Sequence, residues 1–260
     1  MTTVRLAVEY DGTAFHGFQW QPQLRTVAGT LETALQRLLG EEVKVAAAGR
    51  TDAGVHACGQ VVSFSTDQQF PFDRLDAALN ATLPGDIAVC DATVVADDFS
   101  ARFSAIERTY VYALFNQRRR APLFARRAYR VWWKIDVDGM CAASAHLLGE
   151  HDFRSFCASP PDDGITLRDV RRLRVECRGD LVRIEVAANG FLHRMIRTIV
   201  GTLVECASGR RDPGDVPAIL AALDRRAAGH TAPAHGLYLA GVRYPGYDSY
   251  SEPPLFRWFP

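Results

Sequence analysis

The chain opens on an alternation. In Val4-Arg5-Leu6-Ala7-Val8-Glu9-Tyr10 apolar and polar positions largely take turns, which predicts a half-buried strand ending at the turn pair Asp11-Gly12. The period then lengthens to that of a helix. Val27, Leu31, Ala34, Leu35 and Leu38 fall on one stripe, with Thr26 placed to cap its start and Gly40 to stop it. Residues 43–48 read as a strand, 49–59 as a loop and 60–66 as the next strand. Phe72, Leu75, Leu79 and Leu83 predict a second helix, halted by Pro84-Gly85, and strands follow over 87–95 and 108–115.

The second half uses the same vocabulary. A helix is expected over 136–148. A hairpin should join 170–177 to 181–188 through Gly179-Asp180, because Val182, Ile184 and Val186 alternate with Arg183 and Glu185. Leu192, Met195, Ile196, Ile199 and Leu203 share a helical stripe. Pro213 opens a helix carrying Val216, Ile219, Leu220 and Leu223, and 237–242 forms a closing strand. The simplest architecture is α+β: two ferredoxin-like (RRM-like) halves with mainly antiparallel sheets side by side. The expected domains are 1–116, and 117–260 with a basic linker at its start.

Composition narrows the classes. With 48% hydrophobic residues among 260, the chain can bury a sizeable core, and no run approaches the ~18 apolar residues of a membrane span. The first residues run straight into a strand pattern without an apolar leader core, so a cytoplasmic protein is expected. The six cysteines are scattered without a Cys-x-x-Cys pair, which fits a reducing compartment. Net charge is zero, but it is segregated: residues 1–116 hold 8 basic and 14 acidic side chains, whereas 117–211 hold 18 and 11. Arg118, Arg119, Arg120, Arg126, Arg127 and Arg130 come with no acid among them. Such a run is either a solvated loop or a phosphate-tracking surface.

The densest chemical signal is Gly49-Arg50-Thr51-Asp52-Ala53-Gly54-Val55-His56-Ala57, between two strands. Flanking glycines let the backbone present a carboxylate at a sheet edge, and Arg50 can keep Asp52 ionised. Asp52 is then a nucleophile or general base, or it merely closes an Asx-type turn with Gly54 left-handed. Tyr110 and Tyr112 share one face of a strand beside arginines, suited to stacking on a base or to a sheet core. Arg194 and Arg197 stand three apart on a helix and can reach one anion, or simply face solvent. The loop from Tyr10 to Pro22 is rich in glycine and aromatics, as a binding loop or as a staple over the core.

Several classes lack their signatures. His56-Ala57-Cys58 hints at a zinc deaminase, but His-x-Glu and Pro-Cys-x-x-Cys are missing. The RNP aromatics of a passive RNA-binding sheet, the Gly-x-Ser-x-Gly elbow and the Gly-rich nucleotide loops are missing too.

Together the segments resemble the TruA family of tRNA pseudouridine synthases. The likeness rests on Tyr10-Asp11-Gly12-Thr13 through Gln19, the nine-residue aspartate loop, and Ser100-Ala101-Arg102-Phe103 through Arg108-Thr109-Tyr110. It continues through Gly149–Phe153, Phe191–Arg197 with Gly201-Thr202-Leu203, and Ala232–Leu237. Phe18 stands where the family usually has tryptophan. The resemblance implies a pseudouridine synthase fold and isomerisation of uridine at positions 38 to 40 of the tRNA anticodon stem-loop. It implies a homodimer, without cofactor or metal. Asp52 would be the nucleophile, Arg50 would help extrude the base, Tyr110 would stack on the uracil, Arg197 would pair with the aspartate, and Leu237 would line the pocket. Arg118, Arg119 and Arg120 would hold tRNA backbone.

Overall fold

The computed structural model describes residues 1–257, and the chain divides into two compact units. One comprises Met1–Arg108 and Tyr238–Pro254; the other comprises Thr109–Leu237 and, among the described residues, 255–257. The last three residues of the expected second domain lie outside the described residues. The units are α+β, and most strand pairs are antiparallel.

The first unit is built from β1 (Thr2–Tyr10), α1 (Val27–Leu39), β2 (Ala46–Ala47), β3 (His56–Thr66), α2 (Leu75–Asn80) and β4 (Ile87–Val95). β1 lies antiparallel between β4 and β3, with Leu6 opposite both Ala92 and Val62. α1 forms as its pattern predicts: the Thr26 hydroxyl accepts from the Gly29 N–H, and Gly40 adopts the left-handed φ of 74° that ends a helix without strain. Val27, Leu31, Leu35 and Leu39 are buried on its inner stripe, so Leu39 rather than Leu38 completes it.

Three boundaries differ from expectation, each for a long-range reason. The strand expected over 43–48 shrinks to Ala46–Ala47, which pair with Ser63 and Val62. β3 begins at His56 rather than at 60, because Tyr10 pairs with Ala57 on one side and Tyr238 with His56 on the other. The second helix is short, a 3₁₀ turn at Phe72–Arg74 and then α2. The Asn80 side chain ties its end to β4, accepting from Val89 N–H and donating to Val89 C=O at 2.8 Å each.

The second unit contains β5 (Glu107–Asn116, from Thr109), β6 (Tyr129–Val131), α3 (Val137–Ala145), β7 (Gly149–Asp152), β8 (Leu167–Arg178), β9 (Leu181–Ala188), α4 (Met195–Ala207) and α5 (Val216–Ala222). Its strands run in the order β5-β9-β8-β7. The hairpin turns at Gly179 with φ 60°, as its sequence predicts. β6 and β7 were not expected, since three or four residues are too few to show alternation. Pro213 opens a 3₁₀ turn, and α5 starts only at Val216.

α4 is buried on almost every face. Gly201 is the reason it can be: a Cβ there would stand 1.8 Å from the carbonyl oxygen of His230. Residues 229–232 therefore lie directly on the helix, and Thr202 Oγ1 accepts from the Gly229 N–H at 2.9 Å.

The chain returns to the first unit through β10 (Leu237–Tyr244) and the two-residue β11 (Tyr247–Asp248). β10 pairs with β3 in parallel, rather than closing the second half alone. Gly59 of β3 makes room: a Cβ there would lie 2.3 Å from Ala240 O and 2.5 Å from Ser249 O. Among the described residues no helix is long and apolar enough to cross a membrane.

Gly59→Ala forces backbone apart and should cost about 1–3 kcal/mol, as overpacked cores do. Gly85→Ala, whose Cβ meets nothing within 4 Å, is the matched control and should leave the urea midpoint unchanged or raised. Equal midpoints for the two variants would contradict the tight passage at Gly59.

Candidate active site

Asp52 sits half-buried on the loop between β2 and β3. Its carbonyl accepts from the Val55 N–H at 3.1 Å, and Gly54 takes a φ of 79°. Gly54 is left-handed, as the turn reading expected, and it is a backbone bond that closes the turn at Asp52. It is compatible with a chemical role, because it fixes the Cα from which the carboxylate projects.

Side chains hold this loop at several points. Gln60 of β3 is fully buried, and its amide donates to Gly49 O at 2.7 Å while its carbonyl faces Gly49 N–H at 3.4 Å. The same amide reaches Tyr10 Oη at 3.3 Å, and Tyr10 shares a 2.7 Å bond with Thr51 Oγ1, next to Asp52. Burial pushes the Tyr10 phenol up to about 12, against the lesser effect of its bonds to Thr51 and Gln60. Arg108 spans three carbonyls: Nε donates to Ala48 O, Nη1 to Ala105 O and Nη2 to Arg102 O.

The loop after β1 packs on the other side. Phe18 N–H donates to Thr51 O at 3.0 Å, Gly54 N–H to Phe15 O at 3.4 Å, and Gly12 N–H to His56 Nδ1 at 3.1 Å. A Cβ on Gly12 would stand 1.9 Å from Val55 O. Phe15 and Phe18 are buried, so this segment is chiefly a staple that backs the aspartate loop, with Trp20 left exposed beyond it.

In the second unit, Tyr110 is buried on β5 with its ring edge-on to Phe191, centroids 5.2 Å apart. Its strand-mate Tyr112 donates its hydroxyl to Pro233 O at 2.7 Å, and burial lifts that phenol well above its usual value. Arg197, half-buried on α4, donates from Nε to Ala232 O at 2.8 Å, while its own carbonyl accepts from Ala232 N–H. His235 titrates below its ordinary value, through burial first and then the positive charge of Arg197. Leu237 is buried at the start of β10. Arg194 is not on the helix proper: it stands before α4 in the left-handed region, φ 58°, and is exposed. Arg50, Arg118, Arg119 and Arg120 are exposed.

Gln60, Arg108 and Thr51 hold the loop but were not singled out for that task from sequence. The available signal was a glutamine inside an otherwise apolar strand, Gln60-Val61-Val62, where a polar side chain needs a buried partner.

A family model for tRNA pseudouridine synthase matches residues 6–104 and 143–245. The chain belongs to the tRNA pseudouridine synthase family. Proteins named tRNA pseudouridine synthase A are similar over nearly the whole length. That of Moorella thermoacetica is 45% identical over 246 residues, 94% of this chain and 100% of its own. That of Caldicellulosiruptor bescii is 42% identical over 244 residues, again 94% and 100%. That of Halalkalibacterium halodurans is 45% identical over 239 residues, 91% and 90%. Within this tRNA pseudouridine synthase chain, Arg50, Asp52, Arg197 and Leu237 fall in the matched blocks; Tyr110 and Arg118–Arg120 fall between them.

The buried phenols of this pseudouridine synthase carry a pH signature. A phenol whose folded pKa is raised contributes stability fully below its unfolded value and loses it as pH rises through the folded one. For Tyr10 that window runs from 10.0 to about 12, and Tyr112 and Tyr244 act in the same direction. Denaturant midpoints should therefore fall steadily above the lower end of that window, and fall less in Tyr10→Phe. An alkaline limb of identical steepness in both proteins would contradict it.

Proposed function

We propose that the protein isomerises uridine to pseudouridine at positions 38 to 40 of the tRNA anticodon stem-loop, with Asp52 as the nucleophile on a flipped-out uridine. The observation that carries this reading is the braced loop. The loop backbone from which the half-buried Asp52 projects is braced by Gln60 on Gly49, Tyr10 on Thr51 and Arg108 on Ala48. Fixed geometry of this kind is what a nucleophile requires. In the reaction the N1–C1′ bond of uridine breaks, the base turns, and a C5–C1′ bond forms. The C5 proton leaves and N1 gains one, so the change is balanced without a redox partner.

The remaining roles follow the family likeness. Arg50, exposed beside Asp52, helps extrude the base and takes its place in the stack. Extrusion costs a few kcal/mol, and stacking on Tyr110 returns roughly 1–3 kcal/mol of it. Arg197 serves the aspartate carboxylate, and Leu237 lines the pocket. Arg118, Arg119 and Arg120, exposed in a stretch without acids, hold tRNA backbone. The active form is a homodimer in the cytoplasm. Each unit is read as ferredoxin-like; in the first, the order β4-β1-β3 with β2 on β3 supports this.

Asp52→Asn tests the central claim, since it keeps shape and removes the charge. It should abolish pseudouridine formation in bulk tRNA, read by mapping modified positions, while folding and tRNA affinity persist. Activity near that of the unaltered protein would refute the assignment.

Reversing Arg118, Arg119 and Arg120 to Glu should weaken tRNA binding and flatten its dependence on salt, because fewer counterions are released. Affinity unchanged across salt concentrations would remove these arginines from the interface.

A further inference from the structure

The second unit contains a cleft that shares only Arg120 with the roles proposed above. Its volume is about 400 Å³, towards the lower end of the range for small-ligand sites, too small for a helix and suited to one compact group. Phe115 and Phe124 form its aromatic wall, their rings parallel within 10° and 4.7 Å apart. Tyr129 and His235 line it as well, as do two arginines, Arg120 and Arg130. Arg130 is braced through Nη1 on the carbonyl of Arg118.

The lining selects its occupant by chemistry. Flat apolar walls give nothing to a small hydrated ion. Two guanidinium groups, with no carboxylate among the lining residues, repel cations and add little for a purely apolar guest. What satisfies both features is a flat ring carrying an anionic group. The surrounding segment strengthens this: residues 117–130 include six arginines and no acid.

We propose that this cleft is a second nucleotide subsite, which takes one unpaired base of the RNA, other than the reacting uridine, against Phe124 and Tyr129 while Arg120 and Arg130 hold its phosphate. The proposal rests on the reading of RNA as substrate. It adds a recognition element that stacking, not backbone charge, provides. Base stacking on an aromatic ring is tolerant of base identity, so the subsite would contribute affinity without choosing a sequence.

The experiment uses the full chain and a tRNA transcript, with affinity measured at several salt concentrations. Phe124→Ala removes the stacking wall, and Ala125→Trp fills the cleft from an exposed position, so one of the pair remains informative should the other fold poorly. Each should raise Kd roughly 5- to 100-fold with the salt slope unaltered. Arg120→Ala should instead reduce the slope by about one unit. In transcripts carrying 4-thiouridine, irradiation should link RNA to the peptide containing Phe124 and Tyr129. Affinities within twofold of the unaltered protein for both cleft variants would overturn the proposal. So would a dimer that dissociates in Ala125→Trp while RNA binding holds, since the occupant would then be a second copy of the chain. Free uridine 5′-monophosphate that fills the cleft without competing with tRNA would also overturn it. Pseudouridine formation is scored separately: its absence from the unaltered protein counts against the isomerase reading, whereas a lost stacking effect in a protein that still modifies tRNA counts against the subsite.

Discussion

Gln60 joins two parts of the first unit that backbone pairing leaves apart. β2 ends at Ala47, so Gly49 is beyond the reach of a continuing ladder, yet both of its peptide groups face the Gln60 amide. That side chain acts as a substitute strand partner at the point where the chain leaves the sheet to form the aspartate loop. Through Tyr10 it extends its hold to Thr51. Because these groups are buried, a missing member strands its neighbours without water, and an unmade buried hydrogen bond costs about 1–3 kcal/mol. A polar chain of this sort trades hydrophobic area for definition of place, which is what a single reactive carboxylate needs.

The second unit reaches a similar end by close backbone approach. Gly201 lets residues 229–232 lie on α4, and Gly236 lies directly against the ring of Tyr112, where a Cβ would be only 2.7 Å from the ring. Arg197 then finds the Ala232 carbonyl at 2.8 Å, and Tyr112 finds that of Pro233. Glu205 secures the same segment, accepting from the His230 backbone. Burial alone would raise its carboxyl, but the bonds from His230 and Arg211 hold it below its usual value. Two glycines and a glutamate thus fix the path of a stretch that has almost no regular structure.

How much of this was legible beforehand depended on the range of the interaction concerned. α1 was readable to its caps, since Thr26 and Gly40 act on neighbours within four residues. The β8–β9 hairpin was readable for the same reason. β6 and β7 were invisible, because their partners lie elsewhere in the chain and their own runs are too short to have a period. The start of β3 was misplaced because Tyr238, far along the chain, decides it. At the site, Asp52 stood out through its local motif, whereas Gln60 and Arg108 did not: their roles are defined by carbonyls of residues they meet only after folding. The resemblance supplied roles for Tyr110 and Arg197 that spacing alone left open.

The parallel pairing of β10 with β3 has a consequence for biosynthesis. The first unit cannot be finished by the first hundred or so residues, because the edge beside His56 waits for Tyr238 and its followers. While the ribosome makes the whole of the second unit, that edge stays open, with unsatisfied peptide groups that invite wrong partners. Closure also falls late in sequence terms, so the ordering entropy of a long intervening segment precedes it. A nascent chain of this protein therefore carries its aspartate loop on an unsealed sheet until Tyr238 and Leu239 of β10 emerge.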